Sequence, residues 1–476
     1  MAPRPSTVPQ VVIFPFMAQG HTLPLLDLSK ALSSKQINVT IITTPSNAKS
    51  ILDHVSKHPN IRLIELPFPT SDSVPRGCEN TSQLPSMEYH APFLMATKRL
   101  RNPFEQVLND MKESQCLPLC VVSDFFLGFT QPVCQSFGIP RLVFHGMGVL
   151  PMAICKASWV HKPNPDPDSG HIDLSGLKLP FILTASDLPH EVVNSSDLND
   201  PMSQFLEEVG EADVNSWGVI VNSFVDLELG RVSYFESFYK NGARAWCIGP
   251  LNLYDEDVNT QNAPFGSTNV MKWLKEHESR SGSVLYVSFG SQADVSDAQL
   301  DEVGLGLVES GVRFIWVVRS KTWSPPNDMK ERLDDRRGLI LSDWVDQRRI
   351  LSHVSIGGFL SHCGWNSVLE SLSVGVPILA WPMMAEQALN ARVVVDGLGA
   401  GVRVSKQGVA GGSGNGVVSW KAISKGVREL MGEGEKGTSA RERARVLGGV
   451  ARRAVEEGGS SYKTLDELLQ KLQCQH

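Results

Sequence analysis

Residues Phe359–Glu370, FLSHCGWNSVLE, read as one structural transition: an apolar strand ending at His362, a turn through Gly364, and a helix opening near Asn366 and Ser367. Glycine at such a turn lets the backbone approach a ligand, and the first N–H groups of the helix lack partners within it. The helix dipole favours negative charge there, and Ser367 and His362 add donors, so the pattern suits an anion such as a diphosphate. Standing alone, the stretch is equally an ordinary strand followed by a helix capped by Ser or Asn.

Its surroundings tilt the balance. Trp344 lies just upstream in DWVDQRRILSH, and Glu386 and Gln387 follow the next apolar run, PILAWP. These groups therefore fall at the carboxyl ends of successive strands, the edge where open parallel sheets bind ligands. An indole stacks on a flat base, Glu370 accepts hydrogen bonds from a ribose diol, and a neighbouring carboxylate and carboxamide hold vicinal sugar hydroxyls. Further out, SVLYVSFGS, RFIWVVRS and GLILSDW alternate with helical stretches such as DAQLDEVGLGLVES, and QVVIFPF, NVTIITT, LCVVSDFF and IPRLVFHG do the same nearer the start. Buried strands alternating with amphipathic helices predict an α/β fold with parallel sheets covered on both faces. A chain of 476 residues calls for two such domains. The polar, turn-rich segment Trp246–Asn269 is the expected link, and GVAGGSGNGV, residues 408–417, is an expected surface excursion.

Composition narrows the function. Apolar residues make up 42% and charged residues 20%, as in a globular protein. With 44 Lys and Arg against 51 Asp and Glu, the net charge is −7, without a basic tract, so no nucleic-acid partner is expected. The eight cysteines include no Cys-x-x-Cys pair and are expected to be reduced. No run of 18 apolar residues is present, so no membrane span is expected; the polar, Pro-rich MAPRPSTVPQ start lacks a signal-peptide pattern, which predicts a cytoplasmic monomer.

The run Trp344–Gln387, WVDQRRILSHVSIGGFLSHCGWNSVLESLSVGVPILAWPMMAEQ, resembles the 44-residue nucleotide-sugar signature of the plant UDP-dependent glycosyltransferases. The likeness extends to FPFMAQGHTLPLLDL, VPRGCEN, VNSFVDLE, YVSFGSQ and EEGGSSYKTLDEL. It implies the GT-B fold, two Rossmann-like domains facing each other across a cleft. Residues 1–249 would form the acceptor domain, 250–283 the linker, 284–455 the UDP-sugar domain, and 456–476 a helix crossing back onto the first domain. It also implies Trp344 and Val345 at uracil, Gln347 and Glu370 at ribose, Ser291, His362, Asn366 and Ser367 at the diphosphate, and Trp365, Glu386 and Gln387 at the sugar. The sequence departs from the family pattern at Asp346, where many relatives have Pro, and at Gly146, where a Ser or Thr near the sugar 6-hydroxyl is common. No Asp-x-Asp motif accompanies the donor site, so no metal and no cofactor beyond UDP-glucose as co-substrate are expected, with helix N–H groups and His362 neutralising the departing diphosphate.

The candidate base is His21 in MAQGHTLP, at the first strand-to-helix turn, with Gly20 permitting close approach. Asp124 ends the strand LCVVSD in the same sheet, where it could orient His21 and stabilise its imidazolium. Either residue alone could be a helix cap; the family resemblance reads them as a catalytic pair. In-line attack by an acceptor hydroxyl would then displace UDP with inversion. Phe14, Met17, Met87, Phe93, Phe126, Met147 and Leu188, with Trp159 and Phe181, are the apolar candidates for the acceptor wall, and suggest a flat phenolic such as a flavonoid. Two rivals remain in view. A dinucleotide-dependent oxidoreductase lacks its G-x-G-x-x-G after the first strand, and a non-catalytic nucleotide-sugar carrier would not need both His21 and Asp124. C-glycosylation by the same pair stays open.

Overall fold

The computed structural model describes residues 9–475 apart from 175, 194–199, 229, 255–264, 321, 334–336 and 406–415. Most of the expected excursion at 408–417 and part of the expected linker thus lie outside the described residues.

The first sheet contains β1 (Gln10–Phe14), β2 (Asn38–Thr43), β3 (Ile61–Glu65), β4 (Cys120–Asp124) and β5 (Arg141–Phe144). After a short antiparallel pair, β6 (His171–Ile172) with β7 (Leu183–Thr184), it is completed by β8 (Gly218–Val221) and β9 (Arg244–Cys247). Its order is β3-β2-β1-β4-β5-β8-β9, with every pairing parallel. The second sheet contains β10 (Val284–Ser288), β11 (Arg313–Val317), β12 (Gly338–Leu341), β13 (Ile356–Ser361), β14 (Ile378–Ala380) and β15 (Gly401–Arg403), in the order β12-β11-β10-β13-β14-β15, again all parallel. Short Val- and Ile-rich runs buried on both faces produce this architecture, because helices cover each side.

Each sheet reverses its strand order once. In the first the reversal falls between β1 and β4, in register at Phe14 and Ser123; in the second it falls between β10 and β13, in register at Ser288 and Ser361. Loops leaving adjacent strands in opposite directions open a crevice at such a point. His21 and Asp124 flank the first reversal, and Ser291 and His362 flank the second.

The two halves share an apolar layer: Val149, Ala153 and Phe224 of the first join Trp365, Val368 and Leu389 of the second in one buried cluster. The last helix, Ser460–Gln473, packs Leu465, Leu468 and Leu472 into the core beneath β1 and β2. Lys35 pairs with Asp466 of that helix at 2.5 Å and sits over the Tyr462 ring. All eight cysteines are free thiols.

Candidate active site

A continuous cavity of about 1800 Å³ runs between the halves and is lined by both switch-point loops. A pocket for one drug-sized ligand measures roughly 300–1,000 Å³, so this volume has room for two substrates side by side.

His21 is the third residue of the helix Gln19–Ser34, and Asp124 is the last residue of β4. Their side chains meet at 2.7 Å between His21 Nδ1 and Asp124 Oδ2. Asp124 is fully buried, and its other oxygen accepts the Phe126 N–H at 3.0 Å, which fixes the carboxylate plane. A carboxylate only accepts, so Nδ1 of a neutral His21 carries the proton and Nε2 is left as the basic atom. The His21 side chain keeps 27% of its surface exposed, on the cavity. Burial opposes protonation of His21, but the Asp124 carboxylate, its hydrogen bond and the nearby Glu386 outweigh it and raise the pKa. The ring is held edge-on against Phe16, with centroids 5.5 Å apart.

The helix Trp365–Ser373 opens onto the same cavity with no side-chain cap. Its first internal bond runs from Val368 N–H to the Gly364 carbonyl, so the N–H groups of Trp365, Asn366 and Ser367 have no helical partner. Cys363, immediately before the turn, has φ +65°. Left-handed backbone at a non-glycine residue is costly and is characteristic of functional turns; here Asn390 Nδ2 secures the Cys363 carbonyl at 2.9 Å. His362 stands between Gly290 and Gly364, where an added Cβ would come within 2.7 and 2.6 Å of its Nε2. Burial lowers its pKa to about 4. At that value His362 presents an uncharged imidazole at neutral pH, so the positive potential at this turn comes from the helix end.

The Asn366 side chain reaches across the cleft. Pro24 interrupts the Gln19–Ser34 helix and has no N–H to return to the Gly20 carbonyl four residues earlier. That carbonyl instead accepts Asn366 Nδ2 at 2.6 Å, tying the two halves beside the dyad. The Asn366 amide is thus engaged across the cleft, and its backbone N–H is what faces the anion site. Trp365 is similarly committed: it is 2% exposed and donates its indole N–H to the Asn222 carbonyl at 2.8 Å.

Trp344 is 40% exposed and lines the cavity, an open face for stacking, while Val345 beside it is buried. Asp346 accepts the Arg349 N–H at 3.1 Å and caps the helix Gln347–Leu351, so the departure from Pro still anchors this loop. Gln347 Nε2 donates to Glu370 Oε2 at 2.7 Å and to Ser367 Oγ at 3.0 Å. Glu386 Oε1 accepts Asn390 Nδ2 at 3.0 Å, and burial raises the Glu386 pKa. Gln387 Oε1 takes the N–H groups of Met383 and Met384, each at 3.0 Å, which leaves its Nε2 as a donor beside the Glu386 acceptor. Ser291 and Gly364 also line the cavity. Gly146 lines it with φ +73°, a backbone conformation that Ser or Thr would find strained.

Met87, Phe126, Met147, Leu188 and Trp159 reach the cavity wall. Phe14, Met17 and Phe93 do not: they are packed in the core behind it, because β1, the turn after it and the helix His90–Thr97 direct those side chains inward. Phe181 also lies off the wall, 5.7 Å from the Arg392 guanidinium. Two neighbours the sequence reading missed, Phe16 and Phe125, are on the wall. It also missed Arg348, although Asp27 offered a signal: a lone acidic residue inside the apolar helix run LLDLSKAL. Among the described residues, no group of three or more His, Cys, Asp or Glu is placed to hold a metal ion, and no helix is long and apolar enough to cross a membrane.

A base on one sheet edge and an anion site on the other, opening on a common cavity, is the arrangement a GT-B glycosyltransferase uses to bring an acceptor to a phosphate leaving group. Comparison with known proteins makes the assignment specific. Residues 251–411 match the family model "UDP-glucoronosyl and UDP-glucosyl transferase", and residues 8–138 match "Glycosyltransferase, N-terminal domain". The chain is 38% identical to UDP-glycosyltransferase 90A1 of Arabidopsis thaliana, over 97% of this chain and 96% of that protein. It is 36% identical to UDP-glycosyltransferase 73C25 of Barbarea vulgaris over the same shares. Among solved structures, Phytolacca americana UGT2 complexed with UDP-2fluoro-glucose and pterostilbene superposes with a TM-score of 0.80 at 29% identity, covering 98% of this chain and all of that one. Glycyrrhiza uralensis UGT73P12 complexed with glycyrrhetinic acid 3-O-monoglucuronide gives 0.86 at 29% identity, covering 98% and 96%. The chain belongs to the plant UDP-glycosyltransferases: it is a glycosyltransferase with a UDP-sugar as co-substrate.

Proposed function

We propose that this enzyme transfers glucose from UDP-glucose, with inversion, to a hydroxyl of a small apolar phenolic acceptor, with His21 as base and Asp124 as its partner. One observation carries the reading: the His21–Asp124 pair, closed at 2.7 Å, opens on the same cavity as the uncapped helix at Trp365. His21 Nε2 takes the acceptor proton while the acceptor oxygen attacks the anomeric carbon. The bond from that carbon to the diphosphate oxygen breaks on the opposite face, and the charge gained by UDP is met by the helix N–H groups. An α-linked donor gives a β-glycoside. Asp124, held by the Phe126 N–H, stabilises the imidazolium as it forms.

Glucose is favoured by the pairing at the sugar end, where the Glu386 carboxylate accepts and Gln387 Nε2 donates to neighbouring equatorial hydroxyls. An epimer that leaves one of these buried groups unpaired should lose on the order of ten- to a hundredfold. The acceptor class is supported by the aromatic wall of Phe16, Phe125, Phe126 and Trp159. Incubation with a panel of phenolic and aliphatic acceptors, with UDP release and product mass both measured, tests the reading. Acid hydrolysis of the products distinguishes O- from C-glycosides. Equal or greater kcat/KM with UDP-galactose would overturn the assignment of Glu386 and Gln387, and absence of UDP release across the panel would overturn the acceptor class.

A further inference from the structure

Arg348 occupies a position between the halves that the donor site does not by itself explain. Its Nη1 and Nη2 form a fork on Asp27, at 2.9 Å to Oδ1 and 2.6 Å to Oδ2, while its Nε donates to Glu370 Oε1 at 2.9 Å. Asp27 is 3% exposed and comes from the first helix of the acceptor half, among Leu25, Leu26 and Leu28 of the core. Glu370 is 8% exposed and comes from the helix that forms the anion site. One guanidinium therefore holds two buried carboxylates from opposite sides of the cleft, an arrangement that suits its planar set of donors and that a point-charge ammonium cannot reproduce.

We infer that Arg348 is a positioning residue that fixes the ribose-binding carboxylate Glu370 against Asp27, so that recognition of the ribose diol depends on an ion pair across the cleft. The inference rests on the reading of Glu370 as the ribose ligand. Arg348 holds Oε1 and Gln347 holds Oε2, so neither oxygen is free to turn; each keeps a further lone pair for a diol hydroxyl. Burial disfavours the Arg348 charge, yet the two carboxylates more than offset it and raise its pKa well above the ordinary value, so the cation persists across the working pH range. Loosening Asp27 frees the fork, and the carboxylate loses its set orientation.

The test is calorimetric titration of the full chain with UDP and with 2′,3′-dideoxy-UDP, which lacks both ribose hydroxyls. The wild-type chain should prefer UDP by roughly tenfold or more, the usual consequence of leaving a buried acceptor without its donor. Asp27→Asn should lower that preference to about threefold, with little change in dideoxy-UDP affinity. Arg348→Lys, which keeps the positive charge, should do the same and serves as the second variant if Asp27→Asn folds poorly. Full discrimination in both variants, with loss of it in Glu370→Gln, would overturn the role of the ion pair while leaving the ribose reading intact. An equal loss of affinity for both nucleotides would also overturn it, since that is general damage to the cleft. Undiminished discrimination in Glu370→Gln would remove the ribose reading itself, and the inference with it.

Discussion

Two His–Asp pairs lie at the carboxyl edge of the first sheet, and they differ in what else reaches the aspartate. His21 and Asp124 meet at 2.7 Å, and the other Asp124 oxygen accepts only a backbone N–H, that of Phe126, among the described residues. His145, which follows β5, meets Asp213 at 3.0 Å, but Asp213 also accepts the Tyr239 hydroxyl at 2.9 Å and the Lys156 ammonium. The first histidine keeps 27% of its side-chain surface exposed, whereas the second keeps 5% and stacks on Phe125. A base needs one nitrogen anchored and the other accessible to substrate. Asp213 has its lone pairs shared among three donors, one of them already a full cation, so it serves as a strut that ties His145 just after β5 and Lys156 of the Val149–His161 helix to the Pro201–Val214 helix. Chemical identity is the same in the two pairs; the number of competing donors separates the pair proposed as catalytic from the structural one.

The contrast breaks most directly at His21. His21→Ala should lower kcat toward weakly acidic hydroxyls by about a thousandfold, within the range general-base catalysis supplies, while the Kd for UDP stays unchanged because the other half holds the nucleotide. Initial rates with an aliphatic alcohol acceptor, together with UDP titration, check this; near-full turnover would show that His21 is not the base.

Asp124→Asn should cost less, about ten- to a hundredfold in kcat, and should also move the pH profile. The raised pKa of His21 means that the neutral base is lost as pH falls through a value above the ordinary 6.5, so kcat/KM should rise with pH through that value. Removing the carboxylate leaves burial as the dominant influence, and the acid limb should shift to lower pH. The same shift stabilises the fold in the opposite sense: the raised pKa contributes stability that is complete below the unfolded value and fades as pH rises through the folded one. An acid limb that stays in place in Asp124→Asn would detach Asp124 from the base.

The second pair should respond in stability rather than rate. Burial would raise the Asp213 pKa, but His145 and Lys156 outweigh it and depress it, so its contribution is present above the unfolded carboxylate pKa and lost only as pH falls through the folded one. Asp213→Asn leaves Lys156 without its counter-charge and should cost about 3–5 kcal/mol, read as a lower denaturation midpoint, with kcat of the folded protein within a few-fold of wild type. A large loss of kcat at unchanged stability would erase the distinction between the pairs. The smallest effect in the set is donor choice, the ten- to hundredfold preference for UDP-glucose already described.

Much of the donor side could be read in advance because its chemistry is local. Strand, turn and helix are contiguous from Phe359 to Glu370, so an uncapped helix end and its glycines follow from neighbouring residues, and β-branched runs fix the strands around them. The acceptor wall could not be read this way. Phe14, Phe16, Phe125 and Phe126 are equally apolar in the sequence, and only the turn that follows β1 and the path of the loop after β4 decide which of them face the core and which the cavity.

What the sequence determined by itself was therefore the succession of strands and helices along the chain, the candidate anion-binding turn, and the candidate base and its carboxylate partner, since each depends on residue type and local context. Tertiary structure alone decided which charges meet. Asp27 and Arg348 are 321 residues apart, as are no two members of any local motif, and the Gly20 carbonyl becomes available to Asn366 only where Pro24 and the second half of the chain come together. Electrostatic and hydrogen-bond partnership falls off within a few ångströms, whereas sequence spacing carries no information on distances across a cleft. The same holds for His362, whose pKa is lowered by its burial between Gly290 and Gly364, a property of the assembled site and not of the residue.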